Sequence, residues 1–595
     1  MPIGSNDLPR WNLDSIYPAF DSHEYLHDKE ILKEKIEDCA ALSVTLRKQF
    51  NQLSRSFLFG VIRAFESAQD MAETLNAYTE AVYTADTRNE EALKEINALD
   101  MQCLPLKKIL VEFQQTLFQH RDEIMNALEL HPEYADYRFF IEESVKKATH
   151  QLLPDQEELV ADLSRSGADA WARLHESMSS NLSIVWNPDT GEQKTVTALR
   201  ELAFSPDRTI REKAYRTELT AWQNVERPIA ACLNGIKGWS ITIDKRRRWE
   251  TPLHKSAFQS RIEPETLHTL VETVEESLPI FRRYLHLKAK LLGIPVLRFY
   301  DLFAPVGTKN SRTWTWEESA DFIVTQFSAF DPDFGAFAKR AFDSQWIDAG
   351  GREGKVGGAY CTDFPLRGES RILCNFDGSF DSVSTVAHEL GHAWHHECIK
   401  DLPRSQSQYP MTLAETASTF AETIVFEGAL AAASPEERIG LIEGNLKDCC
   451  QTAVDILSRF YFEKAVFEQR ERSELSPAEF CALMIESQKR TYDDSLDPEF
   501  LHPYMWAVKS HYYSAALPFY NYPYAFGQLF SLSLYAQAQK QGPDYKESYR
   551  KLLRTTGQAS AESVAALTGF NIRNREFWLH GVSLIEQRVR EIDSQ

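Results

Sequence analysis

Length is the strongest constraint on this chain, because 595 residues exceed what one hydrophobic core can organise. Single cores stop growing at roughly 250–300 residues, so we expect two lobes or one large helical body with a division. Hydrophobic residues make up 43% and charged residues 26%, which is typical of globular proteins and excludes a disordered or fibrous chain. The 25 glycines and 25 prolines are few for this length, which favours long helices over turn-rich β architectures.

Helical periodicity covers the first part of the chain. Apolar residues recur at three- and four-residue spacing from about residue 24 to 130, and the run from Leu58 to Phe65 shows the stripe clearly. Pro105, Pro132 and Pro154 are predicted to separate the helices of this region. We therefore predict a mostly α-helical fold.

Two short segments carry the β signal. Residues 182–196 alternate around a Pro/Asp/Gly turn and predict a hairpin, and we place a domain boundary there, between 1–190 and 191–595. Five glycines lie between residues 350 and 358, and two short strands are predicted within 359–376. The glycine-rich segment leads into the most informative part of the chain.

The charge balance and the apolar runs argue against two classes of partner. Acidic residues outnumber basic ones by 87 to 65, and a net charge of −22 is repelled by phosphate backbones, so we expect no nucleic-acid partner. No stretch approaches 18 uncharged apolar residues, and no membrane span is predicted. The polar start has no secretory signal pattern, and the nine scattered cysteines do not suggest a disulfide framework, so we predict a cytoplasmic protein.

The pentapeptide His-Glu-Leu-Gly-His at 388–392 suggests a metal site. With 16 histidines and 87 acidic residues, chance would supply this pattern roughly 0.06 times in the chain. On a helix, His388 and His392 project from one face and can both bind one tetrahedral zinc ion. Glu389 points past the metal, where a carboxylate can take a proton from water and return it to a leaving amine. The alternative is an amphipathic helix with two exposed histidines and a salt-bridging glutamate.

A third protein ligand would leave one zinc position open for water. The metzincin pattern fails, because the positions that would hold its glycine and third histidine are His395 and Cys398. His395 and His396 are assigned to supporting or surface positions.

A second helix, predicted over 411–422, supplies candidates for the third ligand. Glu415 and Glu422 are seven residues apart and share a face, so either can reach the metal. A capping box with Thr412 is the alternative role for Glu415. Small residues, among them Ala417, would let the two helices approach closely. Glu415 is the predicted third ligand, and Glu422 is predicted to hydrogen-bond a ligating histidine.

These motifs resemble the thimet oligopeptidase family of zinc peptidases, and more narrowly its oligoendopeptidase F branch. The resemblance covers nearly the whole chain and is carried by the segments Trp11–Pro18, Leu163–Trp171, His388–His392, Ala414–Glu422, Tyr520–Gly527 and Phe577–Gly581. It implies a two-lobed helical shell around a deep substrate channel, with the metal helices on the channel wall. It also implies that 1–190 is an oligoendopeptidase F type N-terminal domain and that 191–595 is the catalytic domain.

The resemblance further implies a histidine and tyrosines, from a late aromatic segment, that hold the substrate carbonyl and its oxyanion. The candidates are His511, Tyr512, Tyr513, Tyr520, Tyr522 and Tyr524, of which His511, Tyr520 and Tyr524 are the predicted catalytic residues. Gly357, Gly358, Tyr360 and Tyr522 are the predicted substrate contacts. The strand at 371–376 is predicted to pair with an extended substrate, and the segment 354–358 to form a flexible cleft wall.

The predicted function is a zinc-dependent endopeptidase with one Zn²⁺ per chain, which cleaves internal bonds of short unfolded peptides in the cytoplasm. Two alternatives stay open: a zinc carboxypeptidase of similar helical fold, and a non-catalytic helical scaffold that binds peptides. Short peptides are the expected partners, and the oligomeric state is left open.

Overall fold

Helices dominate the computed structural model, which describes residues 8–50, 55–306 and 312–594. The α-helices within these residues are α1 His23–Gln49, α2 Arg55–Ala85, α3 Glu90–Gln119, α4 Arg121–Leu130, α5 Arg138–Thr149, α6 Pro154–Ser164, α7 Ala168–Asn181, α8 Val196–Glu201, α9 Arg208–Arg246, α10 Pro252–Gln259, α11 Pro264–Leu291, α12 Trp316–Phe330, α13 Pro332–Asp343, α14 Phe380–Ile399, α15 Arg404–Ser407, α16 Met411–Ala432, α17 Pro435–Cys450, α18 Ile456–Arg470, α19 Pro477–Tyr492, α20 Met505–Val508, α21 Tyr522–Gln541, α22 Tyr545–Thr555, α23 Ala561–Ala566 and α24 Arg575–Asp593. The predicted mostly α-helical fold is confirmed. None of the described helices combines the length and the apolar composition that crossing a bilayer requires.

The strands form two small sheets where the sequence predicts them. The strands are β1 Ser183–Asn187, β2 Glu192–Thr195, β3 Ile347–Asp348, β4 Tyr360–Phe364 and β5 Glu369–Leu373. β1 and β2 form the antiparallel hairpin, and the second sheet has the order β3-β5-β4, with β3 parallel and β4 antiparallel to β5. The prediction that the strand at 371–376 pairs with substrate is wrong for its β5 residues, because β5 already has a neighbour on each edge.

Two of the three predicted proline breaks match helix boundaries. Pro132 begins a 3₁₀ turn and Pro154 is the first residue of α6, where a missing N–H does no harm. Pro105 instead lies inside α3, so the predicted break there is wrong. A proline in a helix frees the carbonyl four residues earlier, here that of Met101, whose side chain is 71% exposed. Water can satisfy that carbonyl on an exposed face, so the helix continues.

Contacts divide the chain into two units, each built from three separate segments. Unit 1 comprises the described residues of Met1–Pro154, Arg312–Ala432 and Gln537–Phe570, and unit 2 those of Asp155–Ser311, Ala433–Ala536 and Asn571–Gln595. The domain boundary near residue 190 is a separate prediction and stays one.

Each unit has its own buried interior. In unit 1 the rings of Tyr17, Tyr25 and Tyr78 pack edge-on or tilted with centroids 5.2–5.7 Å apart, and Phe364 of β4 joins the same core. In unit 2 the ion pair between Lys237 and Glu463, at 2.6 Å, links α9 to α18 in a buried setting. In each unit, residues that are far apart in the sequence therefore contribute to the same buried interior.

Candidate metal centre

The close approach of α14 and α16 builds the candidate site, and Gly391 makes that approach possible. A Cβ at Gly391 would lie 2.6 Å from the carbonyl oxygen of Ala417 and 2.6 Å from the Cα of Ser418. Those distances are shorter than any ordinary contact, so only glycine fits at this crossing. Gly391, the fourth residue of the His-Glu-Leu-Gly-His motif, thus brings the backbones of the two helices together.

His388, His392 and Glu415 converge across this crossing. One possible ligand atom from each lies within 4.8 Å of the others. The Oε2 atom of Glu415 is 3.3 Å from Nε2 of His388 and 3.6 Å from Nε2 of His392. The two imidazole rings are nearly perpendicular, with an interplanar angle of 81°. Both nitrogens therefore face the same carboxylate oxygen.

Three further side chains hold this group in place. Glu422 lies about two helical turns beyond Glu415 on α16. Its Oε2 atom is 3.3 Å from Nδ1 of His388. Ser384 donates a hydrogen bond to Glu422 at 3.1 Å, and Ser418 donates one to Glu415 at 2.7 Å. Neither serine is predicted from the sequence as a residue of the site. Their signal is helical spacing, since Ser384 precedes His388 by four residues and Ser418 follows Glu415 by three.

Burial and charge set the protonation of the group. Burial alone would lower the pKa of the His388 imidazole, but hydrogen bonds and ion pairs with Glu415 and Glu422 raise that pKa well above its usual value. Burial and the neighbouring His388 charge lower the pKa of His392. Burial opposes ionisation of Glu415, yet the two histidines hold its carboxyl pKa below the ordinary range. The group is therefore arranged around an ionised Glu415.

Glu389 is the buried carboxyl of the site, only 6% exposed. Its pKa is raised to about 7: burial is the largest cause, the charge of His388 opposes the rise, and the charges of Glu415 and Glu422 add to it. A carboxyl with a pKa near neutrality can both accept and release a proton at physiological pH.

The histidines that follow the motif have other partners. His395 is fully buried, with its ring stacked on Tyr409 and its Nε2 atom 2.8 Å from the Thr556 hydroxyl, so a surface position is wrong for it. His396 lies near Ser370 and the Tyr409 hydroxyl, at 3.3 and 3.1 Å. Neither histidine joins the converging group.

The glycine-rich segment is tied to its surroundings at several points. The Asn375 side chain donates hydrogen bonds to the carbonyls of Val356 and Gly358, at 3.1 and 2.9 Å. Gly358 has a φ of +79°, which disfavours other residues, and a Cβ on Gly357 would meet nothing within 4 Å. The Tyr360 hydroxyl shares a 2.6 Å hydrogen bond with Thr84. Both glycines present open backbone, while the tyrosine hydroxyl has a partner within the protein.

The late aromatic residues lie in unit 2, and the structure separates them into two groups. The ring of His511 stacks on Tyr520 with centroids 4.7 Å apart, and the Tyr524 hydroxyl donates to that of Tyr520 at 3.3 Å. The Tyr522 hydroxyl is buried and donates to Ser260 at 2.8 Å, which argues against the predicted substrate contact. The remaining candidates, Tyr512 and Tyr513, are buried as well.

Two family models match the chain. The model of Peptidase family M3 matches residues 202–584, which is more than half of the sequence. The chain belongs to peptidase family M3. A second model, described as Oligopeptidase F, matches residues 119–183.

Relatives of similar length support the assignment to this family. An oligoendopeptidase F homolog from Borreliella burgdorferi is 23% identical over 607 residues, covering 99% of this chain and 98% of the relative. The Group B oligopeptidase PepB of Streptococcus agalactiae is 25% identical over 472 residues, covering 78% and 77%. The crystal structure of oligoendopeptidase-F from Enterococcus faecium has a TM-score of 0.70 at 20% identity, covering 96% of this chain and 98% of that one. At this identity the structural likeness shows the fold.

Peptidases of family M3 depend on a metal ion, and the converging residues of this M3 peptidase fit one. Two ligands of a tetrahedral zinc ion, each at ~2.0–2.1 Å, are about 3.4 Å apart. The separations of 3.3 and 3.6 Å between Glu415 and the two histidines agree with that value. Two imidazoles and one carboxylate form a ligand set that catalytic zinc sites use, and the set leaves a fourth position open.

Proposed function

We propose that this M3 peptidase is a zinc-dependent endopeptidase that cleaves internal bonds of short unfolded peptides. The observation that carries the proposal is the convergence of His388, His392 and Glu415 beside the buried carboxyl of Glu389. The three residues would hold one Zn²⁺ per chain, and Glu422 would orient His388 through its Nδ1 atom.

In the proposed hydrolysis, the zinc ion and the side chains of the protein have different roles. Bound zinc supplies Lewis acidity, which polarises a carbonyl group and makes water a better nucleophile. The Glu389 carboxylate accepts the proton of the attacking water and then donates that proton to the departing amine nitrogen. A pKa near 7 suits both steps, because the group must be a base first and an acid afterwards.

Stabilisation of the developing oxyanion is assigned to the late aromatic residues. A phenol hydroxyl or an imidazole N–H aimed at the oxyanion lowers the barrier most where water is excluded. His511, Tyr520 and Tyr524 are proposed for this role, and their mutual contacts support treating them as one group. Replacing Tyr520 or Tyr524 by Phe should lower kcat more than it changes KM.

Substrate is proposed to bind along the open glycine backbone. Gly357 and Gly358 are the proposed contacts, with Tyr360 at the start of the adjoining strand β4. β4 has one strand neighbour, β5, and its other edge is the one not paired with a strand among the described residues. An extended peptide can add to such an edge through main-chain hydrogen bonds.

Cleavage of a peptide blocked at both ends tests the proposal. Zinc-loaded protein should convert an acetylated and amidated ten-residue peptide into two internal fragments, identified by mass spectrometry. A carboxypeptidase would release nothing from the blocked end, and a binding scaffold would leave the peptide intact with no zinc in the purified protein. The Glu389→Gln variant is the matched control, since it keeps the ligand set and removes the base. The cytoplasmic location stays a prediction from the sequence.

A further inference from the structure

A cavity lies within unit 2 and has no part in the proposed peptide cleavage. Its volume is about 430 Å³, within the range of small-molecule sites. α8, the turn that follows it, the first part of α9 and the residues around His502 form its walls. The side chains that matter for its chemistry are Arg200, Phe204, Arg211, Tyr215, Phe299 and His502.

His502 is a buried polar group that lines this cavity. It is 1% exposed, and its Nδ1 atom has no hydrogen-bond partner among the described residues. Its Nε2 atom is 3.4 Å from Oε1 of Glu218, which is ion-pair distance. Native interiors satisfy nearly all buried polar atoms, so the unpartnered Nδ1 atom is the position at which a partner from outside the chain can bind.

The position of that imidazole is fixed from two sides. The backbone of His502 exchanges two hydrogen bonds of 2.9 Å with the side chain of Gln488. The rings of Phe299 and Tyr215 flank the imidazole, with centroids 5.1 and 5.7 Å away. The ring therefore points into the cavity as part of a rigid wall.

Charged side chains of both signs line the cavity or lie beside it. Arg208 and Arg211 share the single carboxylate of Asp301, at 2.8 and 2.9 Å. Arg200 pairs with Glu218 at 2.9 Å through one terminal nitrogen. Arg208 and Asp301 do not line the cavity, where the guanidinium groups of Arg200 and Arg211 lie with the buried carboxylate of Glu218. Glu201 also lines the cavity, but its side chain is exposed and water screens its charge.

The guanidinium group of Arg200 has N–H donors that its described hydrogen bonds do not use. Both of its hydrogen bonds within the described residues, to Glu218 and to the Met505 sulfur, use Nη1. Its side chain is 27% exposed, so Nε and Nη2 are available at the cavity. A guanidinium that presents two parallel N–H groups matches the geometry of a carboxylate.

Several other residues that line the cavity are apolar or aromatic. Phe204 is 56% exposed, which is unusual for so large an apolar ring, and its centroid lies 5.1 Å from that of Phe303. Leu199, Ala203 and Val508 are the apolar residues among them. An aromatic group placed here would gain ring contacts and shield Phe204 from water.

We propose that this cavity binds a small carboxylate that carries an aromatic ring. The carboxylate bonds to Nε and Nη2 of Arg200 and accepts from the unpartnered nitrogen of His502. The ring of the ligand packs against Phe204 and the other apolar and aromatic residues of the cavity. The site is independent of the metal centre, whose residues all belong to unit 1.

Calorimetric titration of the full zinc-loaded chain with 3-phenylpropionate tests the proposal. We expect saturable binding, and about tenfold weaker binding or more for 3-phenylpropionamide, which lacks the charge, and for propionate, which lacks the ring. The His388→Ala variant should bind 3-phenylpropionate equally well, because the cavity lies outside the metal centre. If zinc held the carboxylate instead, this variant would lose binding.

Substitutions in the cavity complete the test. Arg200→Gln and Ala203→Trp should each weaken binding at least about tenfold. Phe204→Ala should weaken binding without harming the fold, since that ring is exposed. Arg216→Gln is the control, because this exposed arginine lies on α9 outside the cavity. Absence of binding at millimolar ligand, equal binding of the amide, or loss of binding only in His388→Ala would overturn the proposal.

Discussion

Glu389 combines deep burial with a position beside three charged groups, and its role can be tested by the smallest possible change. Glu389→Gln keeps the shape and the ligand set but cannot hold a proton. We expect zinc content to stay at one per chain and kcat to fall by about 10²–10⁴-fold, the range that general acid–base catalysis contributes. Peptide turnover and metal analysis on one preparation measure both quantities. Wild-type turnover would exclude Glu389 as the base.

Glu415 and Glu422 lie on the same face of α16 but contact different atoms. Glu415 faces Nε2 of both histidines, whereas Glu422 faces Nδ1 of His388 alone. Glu415→Ala should therefore abolish stoichiometric zinc binding. Glu422→Ala should retain zinc with roughly 10–100-fold weaker affinity, as expected for a partner of a ligand. Competition with a chelator measures both affinities, and the reverse order of effects would exchange the two assignments.

Burial disfavours the ionised form of the Asp70 carboxyl group on α2. The pKa of Asp70 is raised to about 6: burial is the largest cause, Arg404 opposes the rise, and the neighbouring carboxylates of Glu66, Glu73 and Asp363 add to it. An unfolded aspartate ionises near pH ~3.9. Between about pH 4 and 6 the folded protein therefore holds a proton that the unfolded chain has lost, and stability falls as the pH rises through this window.

Asp70→Asn removes that dependence. We expect the variant to unfold at a higher temperature than the wild type at pH 7.5, and the gain to shrink as the pH is lowered towards 4. Thermal unfolding at several pH values measures the difference. Asp38→Asn, at an exposed position on α1, is the control and should change little. A gain that does not vary with pH would contradict the assignment to this carboxyl.

At the level of elements, the crossing of α14 and α16 depends on one missing side chain. Gly391→Ala introduces a Cβ against the backbone of α16, which must move away. We expect destabilisation of about 1–3 kcal/mol or more, the usual effect of overpacking, together with weaker zinc binding as the ligands separate.

Gly440 provides a matched control in α17. A Cβ there would meet nothing within 4 Å, so Gly440→Ala should stabilise its helix by up to about 1 kcal/mol and leave zinc binding unchanged. The melting temperature and zinc content of both variants test whether the helix crossing requires glycine at position 391. Equal effects of the two substitutions would show that the crossing tolerates a methyl group.

Elements with local signals could be predicted from the sequence, and elements set by distant partners could not. The helix that carries His388 and His392 and the hairpin at 182–196 follow from periodicity and turn residues. The central place of β5 depends on pairing with Ile347, far away in the chain, and no local pattern reveals it. Likewise, Pro105 is tolerated inside α3 because Met101, four residues earlier, is exposed to water. That exposure depends on how the helix packs in the folded protein.

At the scale of the whole molecule, unit 1 cannot be obtained from one continuous stretch of sequence. The side chain of Arg404 pairs with Glu73, and Ser405 donates its backbone N–H to Glu66 at 3.1 Å. A fragment of residues 191–595 contains every proposed zinc ligand but lacks both glutamates. We expect this fragment to bind no zinc stoichiometrically and to unfold without a cooperative transition, as measured by metal analysis and calorimetry. Full zinc loading of the fragment would show that 191–595 folds alone.

The three-segment construction of unit 1 also sets the order of events during synthesis. Thr556, which contacts His395 behind the metal helix, belongs to the last segment, and 104 residues separate that segment from the previous one. At about 5–20 residues per second, a ribosome needs roughly 5–20 s to cross this interval. The complete unit 1 therefore forms only after most of the chain has been made. Until then, His395 on the helix that carries the proposed zinc ligands lacks its Thr556 partner.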